Sequence, residues 1–474
     1  MRDRVIFRVD ANSEIGLGHF FRCLALAQFL RKDFDILFCC SQYFPLMTDL
    51  ISTQSFAVEL INHEDALFDL TRPHDMVILD GYHFDENYQR RLRALNVTVV
   101  CIDDLAEGPV AADLIINHSP GVEATTYDAL PHTEFALGPD YALLRPAFLN
   151  AVGKERNEER NSVLICFGGA DPKNLTRQCL AVALGFDVIK HITLILGGGY
   201  RFEETLHPYL SDPRVSICRN LDEAQMVWAL LNHAWAIVPA SGILLEALAC
   251  GGRIISGMYI DNQLNLYTNY RNANAFVDAR DFSEVPLREA LNYCLLGQAS
   301  LNTGLIDGHS GERLRKIFLR LRQSAKIQLR VVTLADRDLT FEWATSPKVR
   351  VYAFNKRAIT IDDHTAWFSA KVSDQNCYYY IAECEDNDLG SVRFDRNNGE
   401  AVISYLVAPD YHGKGWGLSL LREGIKRFVE DSNRVCTTLL GYVMSENEAS
   451  VRIFRLLGFT ESKANTSLRF EKQL

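Results

Sequence analysis

His19 is the first side chain whose neighbours would give it chemistry. It follows Gly18 within Arg8–Ala27, which reads RVDANSEIGLGHFFRCLALA. Val5–Val9 is an apolar run of buried-strand type, Asp10-Ala11-Asn12-Ser13 is turn chemistry, and Gly16-Leu17-Gly18 is a hinge. Beyond His19, Cys23, Leu24, Leu26, Ala27 and Leu30 fall at helical spacing. Strand, glycine-bearing loop and helix in that order turn free N–H groups toward an anionic ligand. The helix dipole disfavours an imidazolium on the first turn, so a neutral His19 is a candidate proton acceptor. Two more stretches have the same form. Val163–Phe167 leads to Gly168-Gly169-Ala170-Asp171, whose N–H groups suit a diphosphate, and Ile403–Val407 leads to His412-Gly413-Lys414-Gly415-Trp416-Gly417 at the head of a helix.

Such loops need strands to hold them. Phe34–Cys40, Met76–Leu79, Thr98–Ile102 and Leu114–Ile116 are short apolar runs alternating with helical patterns. That is the signature of a parallel α/β sheet, whose ligands lie at the C-terminal ends of its strands. Tyr82, Asp103 and Asn117 fall at such ends, and an acidic pair such as Asp103-Asp104 suits a turn or a helix cap. The charged run Gly153–Arg160 is a linker into a second α/β lobe, where Thr193–Leu196 leads to Gly197-Gly198-Gly199. There, Trp235–Val238 leads through Pro239-Ala240-Ser241-Gly242 to a helix over Ile243–Ala249 that carries Glu246. This patterning ends near Gly308. Gly311–Ala325 reads as a basic amphipathic helix with a solvated charged face, closing the second lobe, and a different pattern starts at Ile327. The expected units are therefore 1–152, 160–310, a linker helix over 311–326, and 327–474.

Composition bounds the rest. The 474 residues suit two to four domains. Hydrophobic residues make up 48% and charged residues 23%, as in ordinary globular proteins. A net charge of −11 without a Lys/Arg block argues against nucleic acid or an anionic membrane as the main partner. No apolar leader or membrane-spanning run is evident. Twelve scattered cysteines without a C-x-x-C motif read as reduced thiols of a cytoplasmic protein. The twelve histidines show no metal-ligand spacing, so no metal is expected. Nothing in the sequence sets an oligomeric state.

The run R-x-D-A-x-x-x-I-G-x-G-H-x-x-R-C-L-x-L-A resembles the N-terminus of the nucleotide-sugar hydrolases of pseudaminic acid biosynthesis. These release UDP from UDP-2,4-diacetamido-2,4,6-trideoxy-β-L-altropyranose and resemble MurG-type glycosyltransferases in fold. The resemblance implies a two-lobed GT-B double Rossmann module with His19 as general base and Tyr82 near the sugar. It places Asp10, Gly16, Gly18 and Arg22, with Gly168 and Gly169, around the UDP-sugar. It gives the phosphates to Ser241 and Gly242 and the ribose hydroxyls to Glu246. Asp261-Asn262-Gln263 is similar to the D-N-Q loop of the same group, with Asn262 orienting substrate or the attacking water and Gln263 beside it. Many relatives carry a Thr shortly after the Ser; here Gly242 is followed by Ile243.

The glycine hexad at His412–Gly417 resembles motif A of the GNAT acetyltransferases, R/Q-x-x-G-x-G/A, with His412 in the first position. The resemblance implies a GNAT α+β domain that takes acetyl-CoA as co-substrate. Leu406 and Val407, on a splayed strand, would meet the pantetheine arm and the acetyl carbonyl. His412, Gly413, Lys414, Gly415, Trp416 and Gly417 would hold the pyrophosphate. Asn447-x-x-Ser450 and Leu457-Gly458-Phe459 also match the superfamily, in which the Asn touches CoA. The superfamily's thiolate-protonating Tyr stands four residues after the Ser, and here that position is Phe454. Tyr405 is an acceptor-side candidate. His364 either faces the acceptor or caps a helix.

Together these implications describe an enzyme running two consecutive steps: acetylation of the 4-amino group of UDP-4-amino-4,6-dideoxy-N-acetyl-β-L-altrosamine, then inverting hydrolysis to free sugar and UDP. Its partners would be a UDP-linked amino sugar and acetyl-CoA. A MurG-like glycosyltransferase would share the second lobe but needs an acceptor and an apolar membrane-facing patch, which is not evident. A different division of roles would have the second half acetylate protein N-termini, or make the first half a nucleotide-sugar sensor without turnover. The intact G-x-G-H argues against the sensor.

Overall fold

The computed structural model describes residues 2–10, 18–42, 45–157, 159–385, 387–432, 436–464 and 467–474, without the side chains of 45, 46 and 160. Three large sheets organise these residues. The first is built from β1 (Arg4–Val9), β2 (Asp35–Cys40), β3 (Ala57–Leu60), β4 (Met76–Asp80) and β5 (Thr98–Ile102). After the short β6 (Pro109–Val110) it continues with β7 (Leu114–Asn117), passes β8 (Asp128–Ala129), and ends at β9 (Glu134–Leu137). Its order is β3-β2-β1-β4-β5-β7-β9, every pair parallel, while β6 and β8 form a small side sheet.

The second sheet holds β10 (Glu159–Cys166), β11 (His191–Leu196), β12 (Val215–Arg219), β13 (His233–Pro239), β14 (Arg253–Gly257) and β15 (Val277–Asp278). It is also wholly parallel, in the order β12-β11-β10-β13-β14-β15. Strand order reverses between β1 and β4 in the first sheet and between β10 and β13 in the second. In open α/β sheets the crevice at such a reversal is where ligands bind. His19 opens the helix that follows β1, and Gly168-Gly169 follow β10, so the fold puts both at those crevices.

The third sheet is mostly antiparallel: β16 (Gln328–Val331), β17 (Cys377–Cys384), β18 (Asn387–Asn397), β19 (Glu400–Val407), β20 (Thr438–Met444), β21 (Thr460–Ala464) and β22 (Ser467–Gln473). Its one parallel pair, β19 with β20, is registered only from Glu400↔Thr438 to Ile403↔Gly441. Both strands run on past that point, so they splay apart.

The connections differ from the sequence expectation in one respect. The linker helix, Ser310–Ser324, does not close the second lobe. Its buried stripe of Leu314, Ile317, Phe318 and Leu321 joins the core of the first, against Phe20, Leu24 and Ala27. Apolar residues at this spacing form one face of a helix, but the spacing does not name the surface they cover. Conversely, Ala142, Leu144, Phe148 and Leu149 pack into the second lobe's core. The chain thus crosses between lobes twice. All twelve cysteines are unpaired. Among the described residues no helix is long and apolar enough to cross a membrane.

Candidate functional site

His19 lies on the first turn of the helix Gly18–Leu30, buried, with its imidazole aimed at the end of β4. There Nδ1 is 2.5 Å from Asp80 Oδ1, a carboxylate with no solvent exposure. Arg22, one turn further along the helix, donates from Nε to Asp80 Oδ2 at 2.7 Å and from Nη2 to Oδ1 at 2.6 Å. Burial pushes the Asp80 carboxyl up, but Arg22 and His19 outweigh it and hold the group well below the usual carboxylate range. An ionised carboxylate only accepts, so Nδ1 carries the hydrogen, and it is Nε2 that can offer a lone pair. Arg22 Nη2 also lies 3.2 Å from Nδ1 because both converge on one oxygen. The sequence supplied His19 with a helix dipole alone. The structure adds a carboxylate that works in the opposite sense, supporting the positive charge the ring acquires when it takes a proton.

Asp80 is the residue sequence reasoning missed. Its signal was present, an Asp ending the fully buried strand Met76–Asp80, a place where an unpaired carboxylate would be costly. Around it, Arg22 reaches on to Asp104 Oδ2 at 2.9 Å. Tyr82, half exposed, sets its ring edge-on to His19 with centroids 5.1 Å apart and donates to Asp104 at 3.4 Å. His118, fully buried beside Arg22, is lowered to about 4 by burial and by that cation. Asp103 and Asn117 serve structure: Asp103 accepts from Leu105 N, Ala106 N and Tyr127 Oη, and Asn117 donates to the same hydroxyl.

The remaining sugar-side candidates divide. Gly18 is exposed, with open space where a Cβ would stand; Gly16 lies outside the described residues. Asp10 is committed to Arg8 Nη2 at 2.8 Å and to Ser41 N and Oγ. Asp10, Glu64 and His83 bring three potential metal-ligand atoms within 4.8 Å of one another. The Arg8 guanidinium already bonds both carboxylates, at 2.8 and 2.5 Å.

In the second lobe, Gly168 and Gly169 are exposed after β10, and Gly168 has φ +74°. Ser241 precedes the helix Gly242–Ala249 with no side-chain cap bond, and Gly242 has open space around it. Glu246, one turn in, accepts from Arg145 Nη2 at 2.7 Å. That guanidinium lies 4.9 Å over Phe21, two residues from His19, and so ties the second lobe's helix to the first lobe's. Asn262 is exposed. Gln263 turns inward, its Oε1 accepting from Tyr259 N at 3.0 Å. Asn265, unnoticed in the sequence, crosses to the first lobe and donates to the carbonyls of Asp104 and Leu105.

In the third sheet, Tyr405, Leu406 and Val407 lie on β19 beyond its last pairing with β20. A separate cleft of about 420 Å³ is lined by Val402, Ile403, Ser404 and Tyr442 among others, at the last paired residues of the two strands. His412 Nε2 is 2.8 Å from the Val407 carbonyl, bridging the loop back to the strand. Gly413 and Gly415 have φ +75° and +84°, a backbone that a Cβ would strain; the helix Trp416–Asp431 starts directly after. Gly417 faces the tip of Ile453, 2.8 Å from where a Cβ would stand, so a larger residue there must displace that side chain. Asn447 caps the helix Glu448–Leu456 by accepting from Ser450 N.

Two acceptor-side expectations change. Tyr405 turns toward the helix Glu448–Leu456, its hydroxyl 2.7 Å from Ser450 Oγ. Burial pushes that phenol up to about 12. Phe454 is buried among Phe459, Phe470 and Tyr405, its ring close over Gly441. His364 does not cap its helix; Thr360 does. Instead it is buried against Phe341, Trp367 and Phe368 with Nε2 3.1 Å from Thr340 Oγ1.

Known proteins share both halves. The acetyltransferase (GNAT) domain model matches residues 326–460. The chain is 30% identical over 268 residues to the UDP-2,4-diacetamido-2,4,6-trideoxy-beta-L-altropyranose hydrolase of Campylobacter jejuni, covering 55% of this chain and 93% of the relative. It is 23% identical to the spore coat polysaccharide biosynthesis protein SpsG of Bacillus subtilis, over 57% of this chain and 81% of that one. An uncharacterised protein of Methanocaldococcus jannaschii is 23% identical over 97% of both chains, so both modules recur there in one alignment.

Proposed function

The chain belongs to the family of UDP-2,4-diacetamido-2,4,6-trideoxy-β-L-altropyranose hydrolases, with a GNAT acetyltransferase domain fused behind it, and we propose that it is a bifunctional enzyme of pseudaminic acid biosynthesis. Lobes 1–152 and 160–310 form a GT-B hydrolase, and 327–474 transfers acetyl from acetyl-CoA to the 4-amino group of UDP-4-amino-4,6-dideoxy-N-acetyl-β-L-altrosamine. The hydrolase then cleaves the diacetamido product. Its place is the cytoplasm.

The observation that carries the hydrolase reading is the His19–Asp80 contact at the crevice of the first sheet. His19 Nε2 takes a proton from water as the water oxygen bonds to the anomeric carbon on the face opposite UDP. The anomeric C–O bond breaks, its electron pair leaves with UDP, and the configuration inverts. Asp80 steadies the imidazolium, the role of a triad carboxylate. Tyr82 and Asn262 position the sugar, while Ser241, Gly242 and Glu246 take the nucleotide.

In the transferase the sugar amine attacks the thioester carbonyl and the C–S bond breaks. The thiolate needs a proton, and Phe454 has none to give. Tyr405, relayed by Ser450, is the hydroxyl supplied from the opposite strand, and the amine's surplus proton returns through it or through solvent.

The test supplies purified protein with the UDP-linked 4-amino sugar and follows CoA thiol and free UDP together. The reading expects UDP only when acetyl-CoA is present, lagging the thiol. Thiol without UDP would remove the hydrolase half; neither product would remove both.

A further inference from the structure

We infer that the linker helix Ser310–Ser324, which lies outside the matched acetyltransferase domain, forms a wall of the acetyl-CoA site and binds the 3′-phosphorylated adenosine end of the cofactor. The inference rests on the acetyltransferase reading above and adds a ligand-binding element from the other module.

The observation is a cavity of about 680 Å³ between that helix and the glycine hexad. One side is hexad: Lys414, Gly415 and Trp416, with Tyr411 before them. The other is the helix and its exit, with Lys316, Arg322 and Lys326. The helix is fixed against the hexad helix by the Ser324–Ser419 hydroxyl contact at 2.6 Å, so the cavity is part of the packed structure. Its size falls within the range of small-ligand sites.

The cavity's charge identifies the ligand class. Among the described residues that line it, Glu385 is the acid, and Lys326 is 3.3 Å from it. Arg320 and Arg322, also on the wall, are taken by Glu134 and by Asp3 with the Asp33 carbonyl. Lys414 lies over the Tyr411 ring rather than on a carboxylate, and Lys316 is exposed toward the same space. A protein carrying −11 overall thus concentrates cations where two aromatic rings, Tyr411 and Trp416, meet a phosphate-type loop. Cations suit a phosphate and a flat ring suits a purine. With the pyrophosphate on the hexad, the part of acetyl-CoA that remains on this side is the adenosine with its 3′-phosphate.

The basic face of the helix therefore has a role beyond solvation. Its apolar stripe builds the first lobe's core; Arg313, Arg315 and Arg322 pair with Asp307, Asp33 and Asp3, which leaves Lys316, with Lys326 at the exit, facing the acetyltransferase.

The test uses the full chain and titrates CoA, 3′-dephospho-CoA and UDP by calorimetry, with wild type and Lys316→Gln/Lys326→Gln. Both side chains are exposed, so folding should survive; the circular dichroism melt checks it, and single variants stand in if the pair fails. Wild type should prefer CoA over 3′-dephospho-CoA. The double variant should lose about tenfold in CoA affinity, the worth of one charge-assisted contact, and leave 3′-dephospho-CoA unchanged. An equal loss for both ligands, or no loss for either, overturns the assignment while leaving the acetyltransferase intact. UDP displacing CoA from the cavity would also overturn it. A wild type that binds no CoA at all overturns the acetyltransferase reading and this inference with it.

Discussion

Asp80 decides what His19 is able to do. A histidine on a helix N-terminus alone is biased toward neutrality and, once protonated, sits against an unfavourable dipole. With Nδ1 held at 2.5 Å by a carboxylate that Arg22 keeps ionised, the tautomer is set and the protonated ring has a counter-charge. Two substitutions separate these contributions. His19→Asn removes the proposed base and should lower turnover of UDP release by roughly 10²–10⁴-fold with UDP affinity retained. Asp80→Asn keeps the imidazole but offers it a donor as readily as an acceptor, and should cost about 10⁴-fold at most, as a triad carboxylate does. If Asp80→Asn turns over like wild type, the pair is only a packing feature. Tyr405 allows a parallel test in the other module. Tyr405→Phe removes the hydroxyl from Ser450 and should lower thiol release by about 10²-fold with KM for acetyl-CoA little changed. A rise in KM with kcat intact would make Tyr405 a binding contact instead.

At the scale of elements, the Gly168-Gly169 loop of the second lobe depends on the absence of one methyl group. A Cβ on Gly197, at the end of β11, would stand 2.5 Å from Gly169 Cα and from its carbonyl oxygen. Gly199 N donates to that same carbonyl at 2.9 Å. Gly197→Ala must push the Gly168-Gly169 loop away, at roughly 1–3 kcal/mol for overpacking. UDP affinity should fall together with thermal stability; a variant with wild-type UDP affinity would show that the loop does not hold the nucleotide. The sequence announced this loop, as it announced the strand–glycine–helix form of all three sites, because hydrophobic period and glycine placement are local properties. What it did not announce were relations across distance. Asp80 reads as the end of a strand until β1 and β4 are neighbours. Gln263 and Asn265 are alike in a linear pattern, yet one turns into its own loop and the other crosses to Asp104. His364 reads as a cap because the first turn of a helix is where caps are sought, and burial against three aromatic rings is visible only in three dimensions.

At the scale of the whole chain, the acetyltransferase domain is packed onto the first lobe by more than a tether. A Cβ on Gly458 would stand 2.9 Å from the Phe135 ring on β9, so the two units meet there backbone to side chain. Lys472 on β22 lies in the same seam, 5.6 Å from the Phe135 centroid and 5.9 Å from that of Phe459, donating to the Leu457 carbonyl at 2.5 Å. Burial pushes its ammonium from the ordinary 10.5 down to about 7. The sign follows from proton counting. Between about pH 7 and 10.5 the unfolded lysine holds a proton that the folded one has released, so stability rises with pH across that window. Below pH 7 both states are protonated, and the full penalty of a buried charge is present. Lys472→Met keeps most of the stem's packing and removes the charge. Its melting transition should lie above wild type at pH 6, by about 3 °C for each 1 kcal/mol relieved. The wild-type curve should climb toward the variant's as pH is raised from 7 to 9. Two melting curves that stay parallel over that range would mean Lys472 reaches water when charged, and that the seam between the modules opens far enough to admit it.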